Sequence, residues 1–139
     1  AGKGAWLNGK PIRPSTIDQM IDAMLITGFR FQFFNTPRSN LPYFNRVMLE
    51  AQCVRRLGSA ALDLAYVANG RVEGFWEIAL NPWDVAAGIL ICREAGVRVE
   101  PLWGEGDLLS GTPDIIAANQ AIFPQLDAIL RAERFAQGL

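Results

Sequence analysis

The chain reads as an α/β layered sandwich, and three observations carry that assignment. Short apolar runs of strand length alternate with helical patterns, the rhythm of layered α/β domains. Two helical stretches between Gly58 and Gly96 are apolar almost all round, each interrupted by one acid, Asp63 or Asp84, so they are expected to be covered on every side. The length, 139 residues with half of them hydrophobic, suits one domain with a real core.

The elements follow in order. Trp6 to Arg13 reads as a β-hairpin, because Asn8-Gly9 is a type I′ turn signal. Ala23 to Phe29 is a short apolar run and reads as a buried strand; Gly28 and the Asn35–Pro42 stretch make a loop. Leu41 to Gln52 is a helix with Phe44, Val47 and Met48 on one face, and Val54 to Leu57 is a short strand. Gly58 turns the chain into a helix that Ser59 caps and Asn69-Gly70 stops. Val72 to Ile78 is a strand. Asn81-Pro82 supplies cap and first-turn proline for a helix running to about Ala95, closed by Gly96. Val97–Glu100 and Ile115–Ala118 are further strands, and Asn119 caps a last helix whose Ile122, Leu126, Ile129 and Leu130 form one stripe. There is no internal repeat and no low-complexity segment. The opening hairpin has no sheet partner close in sequence, and an isolated hairpin is marginal in water. It reads as one piece of a sheet built mostly by residues outside this chain.

Composition removes several classes of function. The 13 basic and 14 acidic residues nearly balance, which leaves no electrostatic footprint for nucleic acid or an anionic membrane. No apolar run reaches the roughly 18 residues of a spanning helix, and the polar, glycine-rich start is no signal peptide. The two cysteines, Cys53 and Cys92, fit no zinc motif, and a reducing cytoplasm is the expected home. With no histidine, the chain holds no Ser-His or Cys-His machinery, so acid–base or metal chemistry must come from carboxylates. Gly104, Gly106 and Gly111 precede no Lys-Ser/Thr and make turns, not a P-loop. The aromatics Phe29, Phe31, Phe33 and Phe34 lack the basic interleaving of a nucleic-acid platform and suit a core or a dimer interface.

Each candidate residue has a plain and a functional reading. Asp84, three residues after Asn81, suits a capping box and the dipole of a helix start, or a metal ligand. Glu77, at a strand end before a helix start, is a solvated surface acid or a site wall. Ser59 and Ala60 cap and pack a helix, or offer exposed N–H groups to ligand oxygens. Asp63 is expected to pair with Arg55 or Arg56, and those arginines serve as ion-pair partners or phosphate binders.

The strings GKGAWLNG at 2–9, ITGFRF at 26–31, LGSAALDLAYVANGRVEGFWE at 57–77, NPWDVAAGILICREAG at 81–96 and IIAAN at 115–119 resemble the inositol monophosphatase family. The likeness is strongest to its bacterial extragenic-suppressor branch. Trp-Asp-x-Ala-x-Gly followed by Glu-Ala-Gly is the specific signature. The resemblance implies a layered αβαβα sugar-phosphatase fold, Mg2+-dependent hydrolysis of inositol-1-phosphate or a similar sugar phosphate, and a homodimer. It implies that Asp84 ligates metal, that Glu77 holds an inositol hydroxyl, that Ser59 and Ala60 contact the sugar ring, and that Arg55 orients Glu77.

Two departures matter. The family's first motif, a Glu followed by Asp-Pro-x-Asp-Gly-Thr, supplies most metal ligands and the phosphate cradle, and no such string occurs here. Residues 1–139 therefore resemble the C-terminal half of a family member, with residues 1–14 a hairpin belonging to the N-terminal sheet. Val97 stands where a second glycine usually follows Glu-Ala-Gly. The catalytic set is incomplete in this chain, which is expected to be inactive alone and to hold no Mg2+ firmly. Glu77 and Asp84 are expected to face one cleft, and the hairpin is expected to be disordered or paired with another chain. Rival expectations are an interaction protein tied to transcription and RNA processing, and a phosphatase for fructose-1,6-bisphosphate, histidinol phosphate or phosphoadenosine phosphate.

Overall fold

A computed structural model describes residues 1–104 and 106–139. Its centre is a five-stranded mixed sheet in the order β4-β3-β5-β7-β6. The strands are β3 (Met24–Thr27), β4 (Cys53–Arg55), β5 (Gly74–Glu77), β6 (Arg98–Pro101) and β7 (Ile115–Ala118). β3 runs parallel to both β4 and β5, whereas β7 is antiparallel to β5 and β6. The helices are α1 (Leu41–Met48), α2 (Ala60–Ala68), α3 (Pro82–Ala95) and α4 (Ile122–Ala136).

Alternation along the strands builds a core on each face. Leu25, Trp76, Ile116 and Ala118 pack with Tyr43 and Val47 of α1 and with Ile122, Phe123, Leu126 and Leu130 of α4. Ile26, Phe75, Ile115 and Ala117 pack with Leu64 and Val67 of α2 and with Val85, Ile89 and Cys92 of α3. The fold is thus an α/β/α sandwich. α2 and α3 pack closely because residue 88 is glycine: a Cβ there would lie 2.5 Å from Leu64 Cδ1 and 2.7 Å from its Cβ.

Three expectations need correction. α2 and α3 are not covered on all sides; Leu62, Leu90 and Ile91 face outward. A sheet and one neighbouring helix shield only part of a helix's circumference, so the remainder stays open in this chain. In α1 the buried residues are Tyr43 and Val47, whereas Met48 is exposed. Third, the hairpin β1 (Trp6–Leu7) and β2 (Lys10–Pro11) is formed, with Asn8 and Gly9 both at positive φ as a type I′ turn requires. It is a separate two-stranded sheet, yet it is tethered to its own chain. Glu94, in the last turn of α3, accepts the backbone N–H groups of Gly2, Lys3 and Gly4 at 2.6, 3.0 and 2.9 Å. Those donors hold the Glu94 carboxyl below the usual carboxylate range.

Asn119 works at a distance from its own helix start. Its Oδ1 accepts the N–H groups of Ala121 and Ile122, and its Nδ2 donates to the carbonyls of Ser15 and Ile17. The same side chain therefore starts α4 and pins the segment that leads into β3. No helix among the described residues is long and apolar enough to cross a membrane.

Candidate functional site

The ends of β3 and β5 and the starts of α2 and α3 meet at a cleft of about 370 Å³. Open α/β sheets place ligands at such strand ends because successive connections diverge there. Five of the sequence candidates line it: Arg56, Ser59, Ala60, Glu77 and Asp84. Arg30 and Trp83 complete its rim, with Trp83 77% exposed.

Glu77 ends β5 with only 7% of its surface exposed. Its place depends on Gly28, since a Cβ at that position would stand 2.3 Å from the Glu77 carboxyl group. Gly28 is held in turn by Asn40, whose Nδ2 donates to the Gly28 carbonyl at 2.7 Å and to Thr27 Oγ1 at 2.8 Å. The Asn40 Oδ1 accepts the indole N–H of Trp76, and Thr27 Oγ1 donates to the Trp76 carbonyl. These buried bonds fix the end of β3 against the end of β5. Burial pushes the Glu77 carboxyl up to about 7; the negative charges of Asp63 and Asp84 add to the shift, and Arg30 and Arg56 oppose it.

Asp84 takes up its capping reading. Its Oδ2 accepts the backbone N–H of Asn81 at 3.0 Å and the Asn81 Nδ2 at 3.1 Å, so it caps the start of α3. Its Oδ1 has no hydrogen bond among the described residues, and Asp84 is part of the cleft wall. Ser59 likewise caps α2, with Oγ accepting the Leu62 N–H at 3.4 Å. Ala60 and Ala61, which carry the first N–H groups of α2 and so have no intrahelical acceptor, line the cleft.

Arg55 does not line the cleft. It pairs in register with Ile26, which pairs with Phe75, two residues short of Glu77. Its guanidinium donates to the Val54 carbonyl, and no hydrogen bond links it to Glu77. The next residue, Arg56, reaches the cleft and lies over the Phe31 ring at 5.8 Å. Nor does Asp63 pair with either arginine. Only 1% of it is exposed, and neither carboxylate oxygen has a partner among the described residues. It sits in the first turn of α2 facing inward, while Arg55 and Arg56 lie at the sheet edge and the cleft rim. Burial pushes its carboxyl up to about 6.

Gly28, Arg30 and Trp83 are the residues that sequence reading did not single out. Only a strand followed by glycine hinted at Gly28; its contact spans 49 positions in the chain, which no local pattern records. Among the described residues no group of three or more His, Cys, Asp or Glu is placed to hold a metal ion.

The profile of the inositol monophosphatase family matches residues 1–134. The chain is 43% identical over 126 residues to the Nus factor SuhB of Salmonella typhimurium, covering 86% of this chain and 47% of that protein. It is 43% identical over 129 residues to an inositol-1-monophosphatase of Synechocystis, covering 93% and 45%. The solved inositol monophosphatase of Anabaena superposes with a TM-score of 0.87 at 39% identity, over 94% of this chain and 54% of that one. The chain thus spans about half the length of the curated relatives it matches.

Proposed function

The chain belongs to the inositol monophosphatase family, and from that premise we propose that it forms the sugar-binding wall and one metal ligand of a Mg2+-dependent phosphate monoesterase. The observation that carries this reading is the convergence of Glu77, Asp84 and the open N-terminus of α2 on one cleft. The substrate is inositol-1-phosphate or a similar sugar phosphate.

The residues divide the work by chemistry. Glu77, as carboxylate, accepts a hydrogen bond from a ring hydroxyl, and the Ala60 and Ala61 N–H groups donate to ring oxygens. Arg30 and Arg56 lend the rim positive charge toward an anionic ester. The residues present do not by themselves fit a Mg2+ ion. One uncommitted carboxylate oxygen falls short of the octahedral set the ion demands. Asp84 fits as a single ligand in a set completed elsewhere in the protein, where a bound magnesium supplies charge neutralisation and an activated water. This chain alone is therefore inactive and holds no Mg2+ at micromolar concentration. A homodimer and a cytoplasmic location complete the reading; outward-facing Phe31 supports the first and two free cysteines support the second.

The experiment uses a protein of the relatives' full length that contains this chain, assayed for phosphate release across a panel of sugar and nucleotide phosphates. Asp84→Asn should lower turnover on inositol-1-phosphate on the order of a hundredfold while the fold persists. A near-parental rate would remove Asp84 from the metal shell. Substrate affinity should rise with pH through about 7, because ionised Glu77 is the stronger acceptor for the sugar hydroxyl and burial holds its proton until then. The name of the Salmonella relative, a Nus factor, favours a second reading, an interaction role in transcription. Capture of transcription factors by a protein that releases no phosphate from any of the panel would favour it.

A further inference from the structure

We propose that Asp114 is a positioning residue for this site: with Arg38 and Trp103 it clamps the turn that sets the spacing between Glu77 and Asp84. The proposal rests on the reading of those two acids as one site. The turn runs from Ile78 to Asn81, between the end of β5 and the start of α3. At its centre Ala79 has φ +63°, a left-handed conformation that a residue with a Cβ rarely adopts. Ala79 is fully buried, so its backbone N–H cannot turn to water.

Asp114 supplies the missing acceptor. Its Oδ1 takes the Ala79 N–H at 2.7 Å, and the preceding residue, Pro113, takes the Leu80 N–H on its carbonyl at 3.0 Å. Two consecutive N–H groups of the turn are thus held by two consecutive residues. Asp114 is itself anchored from three directions. Arg38 Nη2 donates to Oδ1, Trp103 Nε1 donates to Oδ2 at 2.9 Å, and the Leu102 N–H donates to its carbonyl at 2.9 Å. Arg38 is also bound to the hydroxyl and carbonyl of Thr112. The next residue after Asp114, Ile115, is the register partner of Glu77. One carboxylate therefore joins the strand beside Glu77 to the turn that leads to Asp84. It acts from the α1/α4 side of the sheet, away from the cleft, and touches no substrate.

Amide hydrogen exchange on the chain tests the clamp. In Asp114→Ala the Ala79 amide should exchange at least about tenfold faster, with Phe75 and Trp76 unchanged. Should that variant fail to fold, Arg38→Met serves, because it removes the anchor without unpairing a buried N–H; a several-fold rise at Ala79 is expected. An Ala79 amide as protected as in the parent, in whichever variant folds, overturns the proposal. In the full-length protein Asp114→Ala should lower kcat/KM about tenfold, and Ala79→Gly should restore most of that loss, because glycine adopts the left-handed turn without the steric strain the clamp must offset. An equal loss with Ala79 or Gly at that position would make Asp114 merely structural. A parent that releases no phosphate would sink the phosphatase reading alone, and the exchange measurement would still decide whether Asp114 holds the turn.

Discussion

Asp63 is buried with both carboxylate oxygens unpartnered among the described residues. A buried carboxylate without a donor pays for desolvation and recovers nothing. Its folded pKa, about 6, lies above the ordinary 3.8, so the folded state binds the proton more tightly than the unfolded state. The sign follows: the penalty is absent below about pH 4, grows as pH rises through the interval, and is complete above about pH 6. Asp63→Asn should therefore leave stability unchanged relative to the parent at pH 4 and raise it by about 1–3 kcal/mol at pH 8. Urea unfolding at several pH values reads this directly, and a gap that does not widen with pH would mean that Asp63 is neutralised by another group. Gly28 and Glu77 show the complementary case, in which an absent side chain makes room for a present one. Gly28→Ala should displace the Glu77 carboxylate and, on the proposed reading of the site, weaken binding of the sugar phosphate in the full-length protein by roughly tenfold, read as a rise in KM.

Among the elements, the α2–α3 pair depends most on one position. Gly88 lets α3 lie against Leu64 at a separation that a methyl group would forbid. Gly88→Ala should cost about 1–3 kcal/mol by overpacking, although alanine is the better helix former. Equal or greater stability in denaturant unfolding would show that Leu64 can move aside. The pair also explains why the site sits where it does. α2 and α3 begin side by side, so a capping serine and a capping aspartate meet at one rim. Each cap serves its helix and leaves something over for a ligand, N–H groups from α2 and an oxygen from Asp84.

At the scale of the whole molecule, the sandwich buries both faces of its sheet and leaves apolar surface on the rim. Phe31, Leu49 and Trp83 are each at least 75% exposed, and Leu62 and Leu90 add to the open side of α2 and α3. Exposed surface of this kind drives association. Light scattering at micromolar concentration should show a dimer or larger assembly. The hairpin's attachment to Glu94 does not depend on that assembly, because its three donors come from the same chain. A monodisperse monomer would mean that these side chains fold back onto the surface instead of pairing it.

What the sequence determined by itself was whatever rests on short-range physics. The order of strands and helices, the Asn8-Gly9 turn, the Ser59 cap and the Gly96 stop all arise from residues a few positions apart. There the backbone's allowed angles and the nearest donors decide the outcome. The fold class and the family were legible for the same reason, since the matching strings are contiguous. The site was half legible. Ser59, Ala60, Glu77 and Asp84 stand at element ends, and the sheet brought those ends together. The tertiary structure alone decided that Arg56 rather than Arg55 reaches the cleft, because strand register cannot be read from one strand. It alone decided that Asp63 goes unpaired, and that Asp114 rather than a neighbour in sequence holds Ala79. These are contacts between elements far apart in the chain, and their partners are chosen by packing, which no local pattern encodes.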